Sequence, residues 1–233
     1  MFYNVENFFD CDDDSLKSDE EFLPRGMRAW TPTKFWKKIE NISRVLACAR
    51  DDGYPDIVGL AEVESKKCLD CLTRSSLLKN AGYYYIHYES DDARGIDVAL
   101  LYNPYVLTVD SCDAIKINFS DGSGRTSRDV LHVTGRIYGL YKIDVFVCHF
   151  PSRLGGEMES EQRRCEVAAM IKNKTDSVFS NDPQSAVLIM GDFNDTPENK
   201  SIKSVLGAAP GGGFNDFVCD NKYMVKPQNG FIS

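Results

Sequence analysis

Histidine is scarce in this chain: there are three in 233 residues, at His87, His132 and His149. Any imidazole chemistry must use one of them. No apolar run approaches the roughly 20 residues a bilayer-spanning helix needs, which excludes that class. Lysine and arginine form no cluster, and the net charge is −8. That excludes nonspecific nucleic-acid binding through a broad basic face. A phosphate bridged by a divalent ion stays open, because the ion brings its own charge. Met1 runs straight into Phe2-Tyr3-Asn4-Val5, which already has a strand pattern. No signal peptide is therefore read in this chain. A soluble protein is expected, cytoplasmic or exported with its signal removed.

Cysteine is not scarce, with eight residues, but its usual partners are missing. Cys68-Leu-Asp-Cys71 has no second CxxC and no histidine pair at zinc spacing. With 42% hydrophobic residues, a chain this long builds a core without disulfide staples. Reduced thiols are expected. No internal repeat and no interdomain linker is visible, so the reading is one domain over residues 1–233, as a monomer.

The chain does carry short apolar runs that end in polar residues. Ala186-Val-Leu-Ile-Met190 reads as a buried strand. Gly191 ends it, and Asp192 and Asn194 follow two apart, on one side of an extended chain. Thr196-Pro197 has the signature of a helix start at Glu198. In Met1–Asp10 apolar and polar residues alternate, so Asn4 and Glu6 share a strand face. Asp56–Glu64 is a strand with Glu62 at its end, where a buried carboxylate needs a partner or a metal. Ile96–Tyr102 holds Asp97 among apolar neighbours. Lys142–Cys148 leads into His149, while His87 and His132 sit inside alternating strands as core or surface residues. Arg153 follows His149 by four positions; it either meets a phosphate or lies on the surface.

Helices are expected from Pro32, with Phe35, Ile39, Ile42, Val45 and Leu46 on the buried face, over Lys66–Ala81, and over Glu159–Phe179. Asp10–Glu21 reads as a solvated acidic loop whose spacing does not fit an EF-hand. Gly122–Gly124 and Pro210–Gly213 read as loops. Tyr105–Val109 and Arg128–Tyr138 read as continuing one sheet with Ile96–Tyr102. The class is α/β, with mixed sheets and helices outside.

Asn4 and Glu6, Glu62, His149, and Asp192 with Asn194, at four separate strand ends, are more than a core requires. They are what metal-assisted hydrolysis of a phosphoester requires. Hard oxygen ligands suit Mg2+ or Mn2+. The ion polarises a phosphoryl oxygen, an aspartate aligns or deprotonates water, and a histidine donates to the phosphate.

Five motifs, in order, carry a family resemblance: Tyr3-Asn4-Val5-Glu6-Asn7, Gly59-Leu-Ala-Glu62, Gly95-Ile-Asp-Val-Ala-Leu-Leu, Val147-Cys-His149-Phe-Pro-Ser and Gly191-Asp192-Phe-Asn194. The chain resembles the endonuclease/exonuclease/phosphatase superfamily with the deoxyribonuclease-I-like fold. The resemblance implies a four-layer α/β sandwich, two packed, mainly antiparallel mixed sheets flanked by helices. It implies Glu62 as chief metal ligand, with Asn4 and Asp192 completing the site, and Asp192 and Asn194 positioning water and phosphate. It implies that His149 contacts the scissile phosphate and that Asp97 orients it; a carboxylate so placed would raise the imidazole pKa. The expected substrate is nucleic acid or a smaller phosphorylated molecule. The family pattern closes with Ser-Asp-His, and no histidine follows His149 here. The expectation is a chain truncated relative to the family. The alternative is a degenerate member that binds a phosphorylated ligand or a protein partner without turnover.

Overall fold

The computed structural model describes residues 1–121, 126–153, 156–208, 214–219 and 222–227. The expected loops at Gly122–Gly124 and Pro210–Gly213 lie outside these residues.

Two sheets form the centre. The first has four strands, in the order β1 (Phe2–Phe8), β2 (Ile57–Val63), β4 (Asp97–Tyr102) and β3 (Tyr84–His87). The second runs β5 (Leu107–Ile115), β6 (Val130–Ile137), β7 (Tyr141–His149) and β8 (Ala186–Asp192). It is extended by a C-terminal hairpin of β9 (Phe214–Cys219) and β10 (Lys222–Pro227), with β10 against β8. The sequence reading has two segments, Tyr105–Val109 and Arg128–Tyr138, continuing the sheet of Ile96–Tyr102. Instead the chain leaves it after Tyr102, and β5 opens the second.

Period-2 alternation sorts the side chains into three apolar layers. Ala61, Val98, Leu100, Val145, Val147 and Met190 fill the seam between the sheets. The opposite faces pack on helices: Val58, Leu60, Ala99 and Leu101 meet α1 (Pro32–Ala47) and α2 (Lys66–Ser75). Phe146, Val187 and Ile189 meet α3 (Glu157–Asn181) through Val167, Ala168 and Ile171. The result is the deoxyribonuclease-I-like sandwich: helix, sheet, sheet, helix. Both β1–β2 and β7–β8 pair in parallel, which helical crossovers allow.

Local chemistry explains the helices. The Thr31 hydroxyl accepts the Lys34 N–H and Pro32 sits at the first turn, so α1 starts where its caps are. Its buried stripe is Phe35, Ile39, Ile42 and Leu46. Val45 is off that stripe and 40% exposed, contrary to the sequence reading. The expected single helix from Lys66 to Ala81 is broken, because the Ser76 hydroxyl caps a new turn by accepting the Leu78 N–H at 3.0 Å. Thr196 does not open a helix either. Its N–H and hydroxyl both bond Asn199 Oδ1 at 2.7 Å, and the next helical element is a π-helical turn, Ser201–Leu206. The acidic segment is less solvated than expected: Asp10 and Asp19 are buried, the latter accepting the Asp14 N–H.

Gly191 lets β7 and β8 meet closely. A Cβ there would lie 2.2 Å from the Cys148 carbonyl oxygen. Gly191→Ala is therefore expected to cost about 1–3 kcal/mol of stability through overpacking. Urea denaturation measures this, and wild-type stability in the variant would refute the close approach.

Candidate active site

The functional side chains leave the sheets at one end of the seam. On β7, Val145 and Val147 face the seam, and His149 is next in that alternation. On β8 Leu188 and Met190 face it, and Asp192 follows. Parallel pairing sets His149 opposite Asp192.

Glu62 gets there by a different device. Strand alternation would give it the face of Val58 and Leu60, toward the helices. The β2–β4 register slips between Ala61 and Val63, and Glu62 takes a left-handed φ of +66°. Such a bulge re-aims the extra residue. A second bulge lies in β1, where Glu6 and Asn7 both have φ of +56°. It keeps Asn4 at the seam, exposes Glu6 and points the Asn7 N–H at Glu62 Oε2, 2.8 Å away. The expected shared face of Asn4 and Glu6 is thus broken within two residues.

Asn4 is the hub. Its Nδ2 donates to Glu62 Oε1 at 3.2 Å and to Asp192 Oδ2 at 2.9 Å. The Glu6 N–H donates to its Oδ1 at 2.9 Å and so fixes the amide's orientation. Two carboxylates from different sheets share one neutral donor. One neutral amide cannot balance two negative charges, and the oxygen-rich donor set fits a hard divalent cation. Asn194 is not on an extended strand end; with φ of +51° it turns back, its N–H bonding Asp192 Oδ1 at 3.1 Å and its Nδ2 bonding the Phe150 carbonyl at 2.9 Å.

His149 is buried, and its Nδ1 has no hydrogen-bond partner among the described residues. Burial first, then the positive fields of Arg128 and Arg94, push its pKa well below the ordinary imidazole value. The expected rise does not occur: Asp97 makes no hydrogen bond to His149 Nδ1 and is not among the charges that shift it. Asp97 shares its strand face with Ala99 and Leu101, which pack toward α1 and α2 rather than into the seam. Its carboxylate accepts the Ser90 N–H at 3.2 Å and the Ser90 hydroxyl. It lines a 120 Å³ acid-walled cavity with Asp10, Asp14 and Glu64. Burial raises its pKa to about 6.

Arg153 is committed to the loop after β8. Its Nε donates to the Asn194 carbonyl at 2.8 Å, and its Nη2 to Asp195 Oδ1 at 3.0 Å and Asn199 Oδ1 at 2.9 Å. Asp195 is fully buried and also pairs with Arg164 at 2.8 Å. These two arginines hold the Asn194 turn, so Arg153 acts through the loop.

Among the described residues, one trio of metal-ligating types has its ligand atoms within 4.8 Å, and it lies elsewhere: Asp10, Glu64 and Cys68. That trio is bonded internally. The Asp10 N–H donates to Glu64 Oε2 at 2.6 Å, and the Ser65 hydroxyl to Asp10 Oδ2 at 3.1 Å. Burial pushes Glu64 up to about 8 and the Cys68 thiol well up. Protonated acid and thiol are poor partners for a hard ion; the group moors α2.

Sequence reasoning missed the cations around the site. Lys38 on α1 is half-buried, and burial lowers its pKa against the opposing pull of Glu6 and Glu62. Arg94 and Arg128 precede β4 and β6. Antiparallel pairing brings the starts of these strands beside the ends of β2 and β7. The available signal was a basic residue just before an apolar run, opposite a strand that ends in an acid or a histidine.

The sequence matches the Endonuclease/Exonuclease/phosphatase family over residues 1–216. The chain belongs to that family of phosphoric ester hydrolases. Among solved structures it is similar to a humanized D. rerio TDP2 (TM-score 0.64, 12% identity, 99% of this chain and 83% of that one). It is also similar to C. elegans TDP2 (TM-score 0.57, 19% identity, 86% of this chain and 51% of that one). A third match is ANGEL2, described as a 2',3'-cyclic phosphatase (TM-score 0.59, 17% identity, 87% of this chain and 54% of that one). This chain thus spans about half the length of the last two. These likenesses show the fold. No curated protein matches the sequence. No described helix is long and apolar enough to cross a membrane.

Two outcomes follow from the charges. Asp195→Ala leaves Arg164 buried without its carboxylate and is expected to cost about 3–5 kcal/mol; Arg153→Ala, at a 37% exposed side chain, is expected to cost less. Equal thermal melts for wild type and Asp195→Ala would refute the pairing. For Asp97, the folded pKa of about 6 lies above the ordinary 3.8. The folded state then holds the proton more tightly, so this contribution to stability is full below pH 3.8 and lost as pH rises through about 6. Asp97→Asn is expected to flatten that slope and to be more stable above pH 6, by up to about 2 kcal/mol. Parallel stability–pH curves for the two proteins would refute it.

Proposed function

We propose that this chain is a divalent-metal-dependent phosphoesterase that hydrolyses a phosphodiester or phosphomonoester, in nucleic acid or a smaller phosphorylated molecule, by attack of water. The observation that carries the reading is the Asn4 amide held between Glu62 and Asp192 at the seam, with His149 opposite Asp192. Glu62, with Asn4 and Asp192, would hold Mg2+ or Mn2+, the hard ions this donor set fits. When bound, the ion supplies Lewis-acid polarisation of a phosphoryl oxygen.

The remaining work falls to the chain itself. Asp192, the carboxylate anchored by Asn4 and the Asn194 N–H, aligns the water and takes its proton. His149 is neutral near pH 7, because burial and two arginines disfavour its charged form. It serves as a fixed N–H donor to a non-bridging oxygen as charge builds there, not as an imidazolium acid. Asn194 sets the turn that presents Asp192, and Arg153 braces that turn. Asp97 receives no substrate contact in this scheme.

Relatives give the reading its chemical context. One D. rerio TDP2 structure is a complex with a single-strand DNA product, and one ANGEL2 structure holds adenosine-2',3'-vanadate. With a net charge of −8, binding of DNA here is expected to depend on the metal and to ignore base sequence.

Hydrolysis of bis(p-nitrophenyl) phosphate and of plasmid DNA, with Mg2+, with Mn2+ and in chelator, tests the proposal. Activity is expected only with metal, and Glu62→Gln is expected to lower it by about 10²-fold or more. Calorimetric metal binding should be lost in the same variant. Metal and phosphate binding without any turnover would favour a binding protein instead; equal activity of wild type and Glu62→Gln would overturn the site.

A further inference from the structure

Arg128 is unusual among the cations of this chain. It is 8% exposed, and its Nε has no hydrogen-bond partner among the described residues. The nearest carboxylate oxygen, Asp92 Oδ2, is 3.7 Å from Nε, beyond hydrogen-bond distance. A buried guanidinium N–H without a hydrogen bond is costly, so this donor calls for an anion.

Its place in the fold says where that anion would sit. Antiparallel pairing of Leu131 with Val147 carries the segment before β6 alongside His149 as β7 ends. Arg94 comes from the turn before β4. Its Nη2 donates to Asn7 Oδ1 at 2.6 Å, and the Asn7 N–H donates in turn to Glu62 Oε2 at 2.8 Å. Arg94 is therefore one residue removed from the expected metal ligand. The two arginines are tied to the same support: Asp92 Oδ1 accepts the Arg94 N–H at 3.0 Å, and Asp92 Oδ2 faces Arg128. The fields of both arginines reach His149, and the field of Glu62 reaches Arg128. The buried Nδ1 of His149, which has no hydrogen-bond partner among the described residues, lies within the field of both arginines.

We infer that Arg94 and Arg128 bind the non-bridging oxygens of the substrate phosphate, forming a guanidinium pair beside Glu62 and His149. A guanidinium presents its donors as a planar fork that matches phosphate oxygens. Asp92 competes with the phosphate for Arg128 and holds it in place when no ligand is bound. The inference rests on the phosphoesterase reading for its substrate, but not for its test, since anion binding is measurable without turnover.

Binding of inorganic phosphate to the full chain, followed by calorimetry with and without Mg2+, is the experiment. Arg128→Gln and Arg94→Gln are each expected to weaken phosphate binding by roughly tenfold to a hundredfold. Asp92→Asn, which frees Arg128, is expected to tighten it several-fold. Arg94 is exposed, so Arg94→Gln decides the matter if Arg128→Gln does not fold. Wild type that fails to bind phosphate under either condition would overturn the inference. So would folded arginine variants with unchanged affinity, which would leave Arg128 as a structural partner of Asp92. Arginine-dependent phosphate binding in a chain that hydrolyses nothing would uphold the pair and overturn the enzyme reading.

Discussion

One amide group ties the two sheets together at the candidate site. Asn4 is on the first sheet, as is Glu62, while Asp192 belongs to the second, and both carboxylates meet on Asn4 Nδ2. A neutral donor relieves the repulsion of two acids only in part. Everything nearby serves to keep them together. The seam core brings the sheets into register, the bulge in β2 turns Glu62 inward, and the β1 bulge adds the Asn7 N–H. Left-handed φ at Glu62 and Asn194 disfavours ordinary side chains by roughly 1–3 kcal/mol each. Such strain persists where the surrounding packing over-determines it.

The loop after β8 repeats this logic with full charges. Asp195 is buried between Arg153 and Arg164 and also accepts the Ser201 hydroxyl. An ion pair of this kind contributes little net stability over an apolar isostere, but breaking it is costly. Its effect is geometric. It fixes the turn through Asn194 and hence the direction in which the Asp192 carboxylate leaves its strand.

Much of the fold was legible because apolar runs and caps are local signals. Ala186–Met190, Lys142–Cys148 and the Thr31-Pro32 helix start are where their patterns place them. The convergence of Asn4, Glu62, His149 and Asp192 was legible as polar residues at strand ends. What failed depended on facts a sequence does not carry locally. The faces of Asp97 and Glu62 could not be read from alternation. Asp97 obeys the period and so faces the helices, while a bulge lets Glu62 escape it. Arg153, four residues after His149, has the same sequence context whether it meets a phosphate or a carbonyl. Arg94 and Arg128 start their strands rather than end them, and antiparallel pairing alone shows that starts and ends share one rim.

The Asn4–Asp192 hydrogen bond joins residues 188 positions apart, and Asn4–Glu62 joins residues 58 apart. Contacts this distant in sequence close late, because loop entropy must be paid before they form. The Asn4 amide on β1 therefore finds its second acid only once β8 has joined the second sheet. During that interval Glu62 and His149 belong to sheets not yet joined at this end, and no partial assembly of the chain contains the site. Assembly of the candidate site is thus coupled to completion of the fold: a chain stalled before β8 lacks Asp192 and leaves Asn4 with one of its two acids.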